Sequence, residues 1–243
     1  MLVPPAEEVW FANKTTCLGA VHLQDQSAGS GTLHTHNTSE IAALHMVVDR
    51  RELSANLRKF YDFSGKAAVC VGAGGGLLLE PASGVASVVA IDKNAEELEK
   101  FRVGSKASWA GTPLQFVPRK FEEVDYRGDV VYFEFCMHMM EDPRKTLEHA
   151  RSLAQDIVAI DHLPGSKWVY YWAGEDEVRR STEALESFGI KRRSRFVAEQ
   201  RFKDWQALAD RLTGLGEESR RRVLELKEAK EVHMPMDYCL YLL

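Results

Sequence analysis

Cysteine is scarce in this chain: Cys17, Cys70, Cys136 and Cys239 are scattered through 243 residues without a C-x-x-C pair. Isolated thiols on apolar segments argue against a disulfide framework and against a cysteine zinc site. Long apolar runs are missing as well. The longest, Ala67 to Leu79, has 13 residues and four glycines, too short and too flexible to span a membrane. Lys+Arg number 31 against Asp+Glu 36, a net charge of −5 with no block of like charge, so an electrostatic grip on nucleic acid or on an anionic membrane is not expected. Met1 to Lys14 carries Pro4, Pro5, Glu7 and Glu8 and lacks the basic and apolar regions of a signal peptide. Neither an internal repeat nor a low-complexity segment is found. A soluble, cytoplasmic protein is the expectation. What is plentiful is core material: 45% of residues are hydrophobic and 28% charged, enough for one sizeable domain and a small appendage.

Residues 1–60 mix a polar Ser/Thr/Gly/His stretch, Ser27 to Ser39, with a helical pattern over Glu40 to Phe60, and read as an N-terminal cap. From Lys66 short apolar runs alternate with charged segments of helical period, the pattern of repeated βαβ units. Strands are predicted at Ala67–Val71, Val85–Ile91, Leu114–Val117, Val130–Phe135 and Ile157–Ile160, with helices at Asn94–Ser105, Pro143–Ala154 and Asp176–Phe188. Two late strands, Arg195–Arg201 and Asp237–Leu243, flank helices at Lys203–Leu212 and Glu217–Lys230. The domain proper is therefore placed at 61–243.

The strongest motif joins the first strand to a glycine loop, Val69-Cys70-Val71-Gly72-Ala73-Gly74-Gly75-Gly76. Positions without side chains let a ligand approach the backbone and let the turn take positive φ. Twenty residues after Gly72 the second strand ends in Asp92, an acid placed to accept hydrogen bonds from ribose hydroxyls. Loop and acid together describe a nucleoside-cofactor site. The dinucleotide fingerprint wants Gly or Ala where this chain has Leu77, so a pyrophosphate loop is disfavoured.

Gly72, Gly74 and Gly76 instead form G-x-G-x-G, and here the sequence resembles the class I S-adenosylmethionine-dependent methyltransferases of the small-molecule type. Asp129-Val130-Val131-Tyr132-Phe133-Glu134, followed by Met137-His138 and by Glu141-Asp142-Pro143, resembles that family's Asp-led fourth strand, Leu/Met-His motif and acidic-Pro helix opening. Pro143 at a first helical position is also what a helix start favours on physical grounds. The resemblance implies a Rossmann-like, doubly wound, mostly parallel α/β sheet with an antiparallel last strand and a small N-terminal cap. It implies S-adenosylmethionine as cofactor, held by Gly72, Gly74, Gly76 and Asp92, with Cys70, Lys93, Lys120, Phe121 and Glu134 completing the cofactor-binding set. The family usually has an acid for the methionine ammonium where this chain has Cys70, a weak partner for a cation. Many relatives also have an adenine-binding acid where this chain has Arg119-Lys120, which leaves Phe121 as a stacking face for adenine.

Three residues at strand ends are candidates for chemistry. Glu134 should overlook the methionine end or the acceptor, the alternative being a solvated carboxylate. His138, four residues on, would share its side, and His162 after Asp161 could take a proton from an oxygen or nitrogen acceptor; for both, a hydrogen-bonded structural histidine is the alternative. Trp168, Tyr170, Tyr171 and Trp172 either wall an acceptor pocket or pack in the core. His34, His36 and His45 invite a metal reading, but nothing fixes a third ligand, so no metal is assigned. The expected partner is a small-molecule methyl acceptor, with no nucleic acid, no membrane, and a homodimer left open. A catalytically silent cofactor-binding protein, a nucleic-acid methyltransferase and a nicotinamide oxidoreductase are the alternatives.

Overall fold

The computed structural model describes residues 50–105, 108–212 and 216–243. Most of the expected cap lies outside the described residues, as do Cys17, His34, His36 and His45. Seven strands form one sheet: β1 (Ala67–Val71), β2 (Ser87–Ile91), β3 (Leu114–Val117), β4 (Val130–Glu134), β5 (Asp156–His162), β6 (Arg192–Phe202) and β7 (Val232–Leu242). Their order is β3-β2-β1-β4-β5-β7-β6, parallel from β3 to β5, with β7 antiparallel to both neighbours. This is the mixed, Rossmann-like sheet expected from the resemblance.

The central strands read as continuous apolar runs because both sheet faces are covered, and their alternation divides the core into two layers. Cys70, Tyr132, Val158 and Ile160 face one layer, whereas Val69, Val71, Phe133 and Ala159 face the other. Helix α1 (Arg50–Phe60) closes the first layer with Leu53, Leu57 and Phe60 at helical spacing. The remaining α-helices among the described residues are α2 (Ala95–Ser105), α3 (Pro143–Leu153), α4 (Lys167–Trp172), α5 (Glu175–Ser187), α6 (Trp205–Arg211) and α7 (Gly216–Val223). Helix α3 starts as its sequence predicts: Pro143 opens it, and the Asp142 carboxylate accepts from the Lys145 N–H at 3.1 Å. It covers the second layer with Leu147, Ala150 and Leu153. Asp129 accepts from the Ala67 N–H at 2.7 Å and so ties the start of β4 to the start of β1.

Several elements differ from the sequence expectation. The path from β1 to β2, to which the sequence assigned no element, is spanned by short 3-10 turns at Ala73–Gly75 and Pro81–Ser83, and Leu77, Leu78 and Leu79 plug the first core layer. The predicted 217–230 helix stops at Val223, passes through a 3-10 turn at Leu224–Leu226 and turns at Glu228 with φ +80°. Strand β7 begins five residues before the predicted Asp237, and the reason is Pro235. Its first half pairs only with β6, so a residue without an N–H costs the ladder nothing on the open side. No helix among the described residues is long and apolar enough to cross a membrane.

Candidate functional site

The glycine loop and the acid after β2 meet at the carboxyl edge of the sheet, where β1 and β4 pair directly and the strand order reverses direction. Asp92 is buried, 6% exposed, and its carboxylate accepts from the Gly74 N–H at 2.8 Å and the Asn94 N–H at 2.9 Å. A Cβ added at Gly74 would lie 2.8 Å from Asp92 Oδ2, so only glycine lets the loop lie against this acid. Gly72 and Gly76 take φ of +86° and +82°, the left-handed region that glycine enters without steric cost.

On the other side of the loop, Glu134 ends β4 with its carboxylate buried and accepting from the Leu78 N–H at 2.8 Å. Cys70 is fully buried in β1; burial first, and the nearby Glu134 carboxylate second, hold its thiol well above the usual range. It stays a neutral thiol beside an acid that belongs to the neighbouring strand. Two residues of α1 grip the same loop: Arg50 donates to the Leu77 carbonyl at 2.9 Å and the Gly75 carbonyl at 3.4 Å, and Ser54 donates to the Leu78 carbonyl at 2.8 Å. Sequence reasoning missed Arg50 and Ser54, because within Arg50-Arg51-Glu52 nothing local distinguishes a loop-binding arginine from a solvated one.

A second cluster lies at the ends of β4 and β5. Asp161 is fully buried, and its carboxylate lies 2.6 Å from His138 Nδ1 while accepting from the backbone N–H groups of His138 and His162 and from the Ser181 hydroxyl. Burial alone would raise the Asp161 carboxyl, but the adjoining His138 ring and these donors hold it below the usual carboxylate range. At the side-chain level Asp161 thus pairs with His138, not with its sequence neighbour His162. The His162 ring is buried with no hydrogen-bond partner at Nδ1 among the described residues. Burial, reinforced by His138, brings its pKa down to about 3, so the ring is neutral at physiological pH.

His162 is surrounded by aromatic rings. Phe135 lies tilted over it at 4.8 Å, and Trp172 meets it edge-on at 5.7 Å and His138 at 4.7 Å. Tyr238, opposite His162 in the β5–β7 ladder, approaches Phe135 at 6.0 Å, and its hydroxyl accepts from the Asn56 amide at 3.0 Å. Phe135 sits at φ +45°, a conformation an aromatic residue adopts only under tertiary constraint. That turn separates the Glu134 carboxylate, bound to the loop, from the Phe135 ring on the histidine side. Glu134 and His138 accordingly serve different neighbours rather than sharing a side.

The other expected residues lie elsewhere. Phe121 is 3% exposed and packs edge-on against Phe133 and His149, in the second core layer, so its ring offers no open face for adenine to stack on. Lys93 and Lys120 are exposed, just past the ends of β2 and β3. Of the four clustered aromatics only Trp172 reaches the histidines; Trp168 stacks on Phe202, and Tyr170 carries Arg222 over its ring at 4.4 Å. Among the described residues no group of His, Cys, Asp and Glu is arranged to hold a metal ion.

The glycine cradle against Asp92, with a buried carboxylate across the loop, fits a nucleoside that bears a charged amino-acid end. Residues 69–156 match the family model described as a methyltransferase domain. No curated protein matches the chain. Among solved structures, a candidate methyltransferase from Bacillus halodurans C-125 is 17% identical with a TM-score of 0.59, the alignment covering 78% of this chain and 96% of that one. The YcgJ protein from Bacillus subtilis is 11% identical with a TM-score of 0.58, covering 79% and 97%. An S-adenosylmethionine-dependent methyltransferase from Thiobacillus denitrificans, solved with S-adenosyl-L-homocysteine, is 12% identical with a TM-score of 0.51, covering 79% and 90%. At such identities the likeness concerns the fold, while the family match falls on the segment that holds the glycine loop, Asp92 and Glu134. Residues 69–156 of this chain carry a methyltransferase domain, in a fold shared with these solved methyltransferases.

Proposed function

We propose that the chain transfers the methyl group of S-adenosylmethionine to an O, N, S or C atom of a small-molecule acceptor bound over the carboxyl ends of β4 and β5. The observation that carries this reading is the position of His162. A neutral, buried imidazole with an unpartnered Nδ1 lies among Phe135, Trp172 and Tyr238, next to the strand end that bears Glu134. A wall of aromatic rings with one polar atom is the lining a small organic acceptor uses. The net charge of −5, and Glu134-Phe135-Cys136-Met137 where nucleic-acid amino methyltransferases carry an Asp/Asn-Pro-Pro-aromatic motif, speak against a polyanionic acceptor.

Gly72, Gly74, Gly76, Asp92 and Glu134 hold the cofactor, with Lys93 and Lys120 at the mouth. When bound, S-adenosylmethionine supplies an electrophilic methyl group on a good leaving group. The work left to the protein is alignment and exclusion of water. Where the acceptor must lose a proton, Asp161 fixes the tautomer of His138 by holding its Nδ1 side and leaves Nε2 as the basic nitrogen. His162 orients the acceptor as a neutral hydrogen-bonding partner. Residues 1–60 are read as the cover of this site. Their last turns, α1, pack on the sheet, and Arg50 ties the helix start to the glycine loop.

Calorimetric titration with S-adenosylmethionine, S-adenosylhomocysteine and NAD in parallel tests the first half. Saturable binding of the first two without NAD supports it, and binding of NAD alone overturns it. Transfer of a labelled methyl group to a panel of phenols, amines, thiols and carboxylates, with RNA and DNA alongside, tests the second half. Labelling of nucleic acid alone would refute a small-molecule acceptor.

A further inference from the structure

We infer that Arg50 and Glu134 bracket the zwitterionic amino-acid end of the cofactor, Arg50 taking its carboxylate and Glu134 its ammonium; this rests on the methyltransferase reading. Both side chains hold the same peptide unit of the loop. The Leu77 carbonyl accepts from Arg50 Nη2 at 2.9 Å, and the N–H of the next residue, Leu78, donates to Glu134 Oε2 at 2.8 Å. A trans peptide directs its C=O and N–H in opposite directions, which sets the guanidinium and the carboxylate on the order of 7–8 Å apart across the loop. An α-amino acid that makes one hydrogen bond at each charged end spans about that distance.

Neither charged end of the cofactor would meet its ordinary partner in this chain. At the ammonium end, Cys70 stands in β1 where the family resemblance expects an acid, and its thiol is buried and neutral. Glu134 occupies the adjoining strand on the same sheet face, since Cys70 pairs with Tyr132 and side chains two apart share a face. The carboxylate has moved one strand over. At the carboxylate end, a glycine loop that opens an α-helix presents the positive end of a helix dipole to an anion. Here the loop continues as a 3-10 turn of three residues, which has no comparable dipole. The Arg50 guanidinium lies over that loop, 3.6 Å from where a Gly76 Cβ would be, and is held by two carbonyls that fix its orientation without neutralising its charge.

The test crosses the two residues with the two charged groups of the ligand. Arg50→Gln and Glu134→Gln are titrated by calorimetry with S-adenosylhomocysteine, with decarboxylated S-adenosylhomocysteine, which keeps only the ammonium, and with 5′-methylthioadenosine, which has neither group. Arg50→Gln should weaken S-adenosylhomocysteine by about 10- to 100-fold, the range for a charged hydrogen bond, and leave the other two ligands unchanged. Glu134→Gln, which can still accept from Leu78, should weaken the two ammonium-bearing ligands and spare 5′-methylthioadenosine. Equal losses for all three ligands would make both side chains mere loop supports and overturn the assignment, as would unchanged affinity for all three. Failure of the unaltered protein to bind any of them would instead overturn the methyltransferase reading itself.

Discussion

The Asp161 carboxylate and the His138 ring lie 2.6 Å apart in the interior, joining β5 to the turn after β4. The same carboxylate accepts two backbone N–H groups and the Ser181 hydroxyl of α5, so one acid organises three elements. Asp161→Ala leaves these donors and a histidine unsatisfied and should cost about 3–5 kcal/mol, as for breaking a buried pair from one side. Denaturant unfolding measures it. A loss under about 1 kcal/mol would mean that the pair is no more than a surface-grade contact.

His162 makes stability depend on pH. Its folded pKa of about 3 lies below the ordinary 6.5, so at intermediate pH the unfolded chain binds a proton that the folded chain does not. Stability therefore falls as pH drops from the ordinary value towards the folded one, by up to about 1.4 kcal/mol per pH unit for a single group. The depressed Asp161 carboxyl adds its own loss as pH falls below its ordinary value of 3.8. His162→Phe should flatten the decline between about pH 6 and pH 4, as read from urea midpoints. An unchanged slope would remove His162 as the cause.

Gly74 and Asp92 act as a unit. Gly74→Ala puts a methyl group 2.8 Å from Asp92 Oδ2, so loop or acid must shift. Such overpacking costs about 1–3 kcal/mol and should abolish tight cofactor binding. Asp92→Ala removes the carboxylate instead and should weaken S-adenosylhomocysteine by about 1–3 kcal/mol, the worth of a charge-assisted hydrogen bond to the ribose. Equal affinity of Asp92→Ala and the unaltered protein, by calorimetry, would leave the acid with only its role in shaping the loop.

Cys70→Asp, which would restore the family's acid, should not improve this protein. It would place a second carboxylate in a fully buried position beside Glu134, and an uncompensated buried charge costs about 3–5 kcal/mol. Combining it with Glu134→Gln returns the pocket to one carboxylate. The double variant should recover much of the lost melting temperature, whereas additive losses would show that the two positions do not share a pocket.

Ala173 offers a gain. It caps α4 at φ +63°, a left-handed position that costs a residue with a Cβ about 1–2 kcal/mol. Ala173→Gly should raise thermal stability by up to about 1 kcal/mol, the part left after glycine's greater unfolded-state entropy is set against it. A lower melting temperature would show that the Ala173 methyl group packs more usefully than its backbone strains.

The sequence alone determined those parts of this protein that depend on local pattern. Buried parallel strands must be apolar on both faces, so Ala67–Val71, Leu114–Val117 and, but for its last residue Phe135, Val130–Phe135 were visible as runs. Glycine spacing, Asp92 after β2, and the Asp142-Pro143 helix start each solve a backbone problem within a few residues, and each appears where the sequence places it. Tertiary structure decided the rest. Asp161 could pair with the histidine beside it or with one 23 residues away, and the choice followed from β4 and β5 being neighbours. Phe121 was an aromatic after β3 in either case, and only the packing of Phe133 and His149 around it turned a stacking face into core. Arg50 carried no signal at all, because its partners are carbonyls 25 and 27 residues downstream. Periodicity and turn chemistry are written into neighbouring residues, whereas the partner of a long polar side chain is set by which strands and loops the fold brings together.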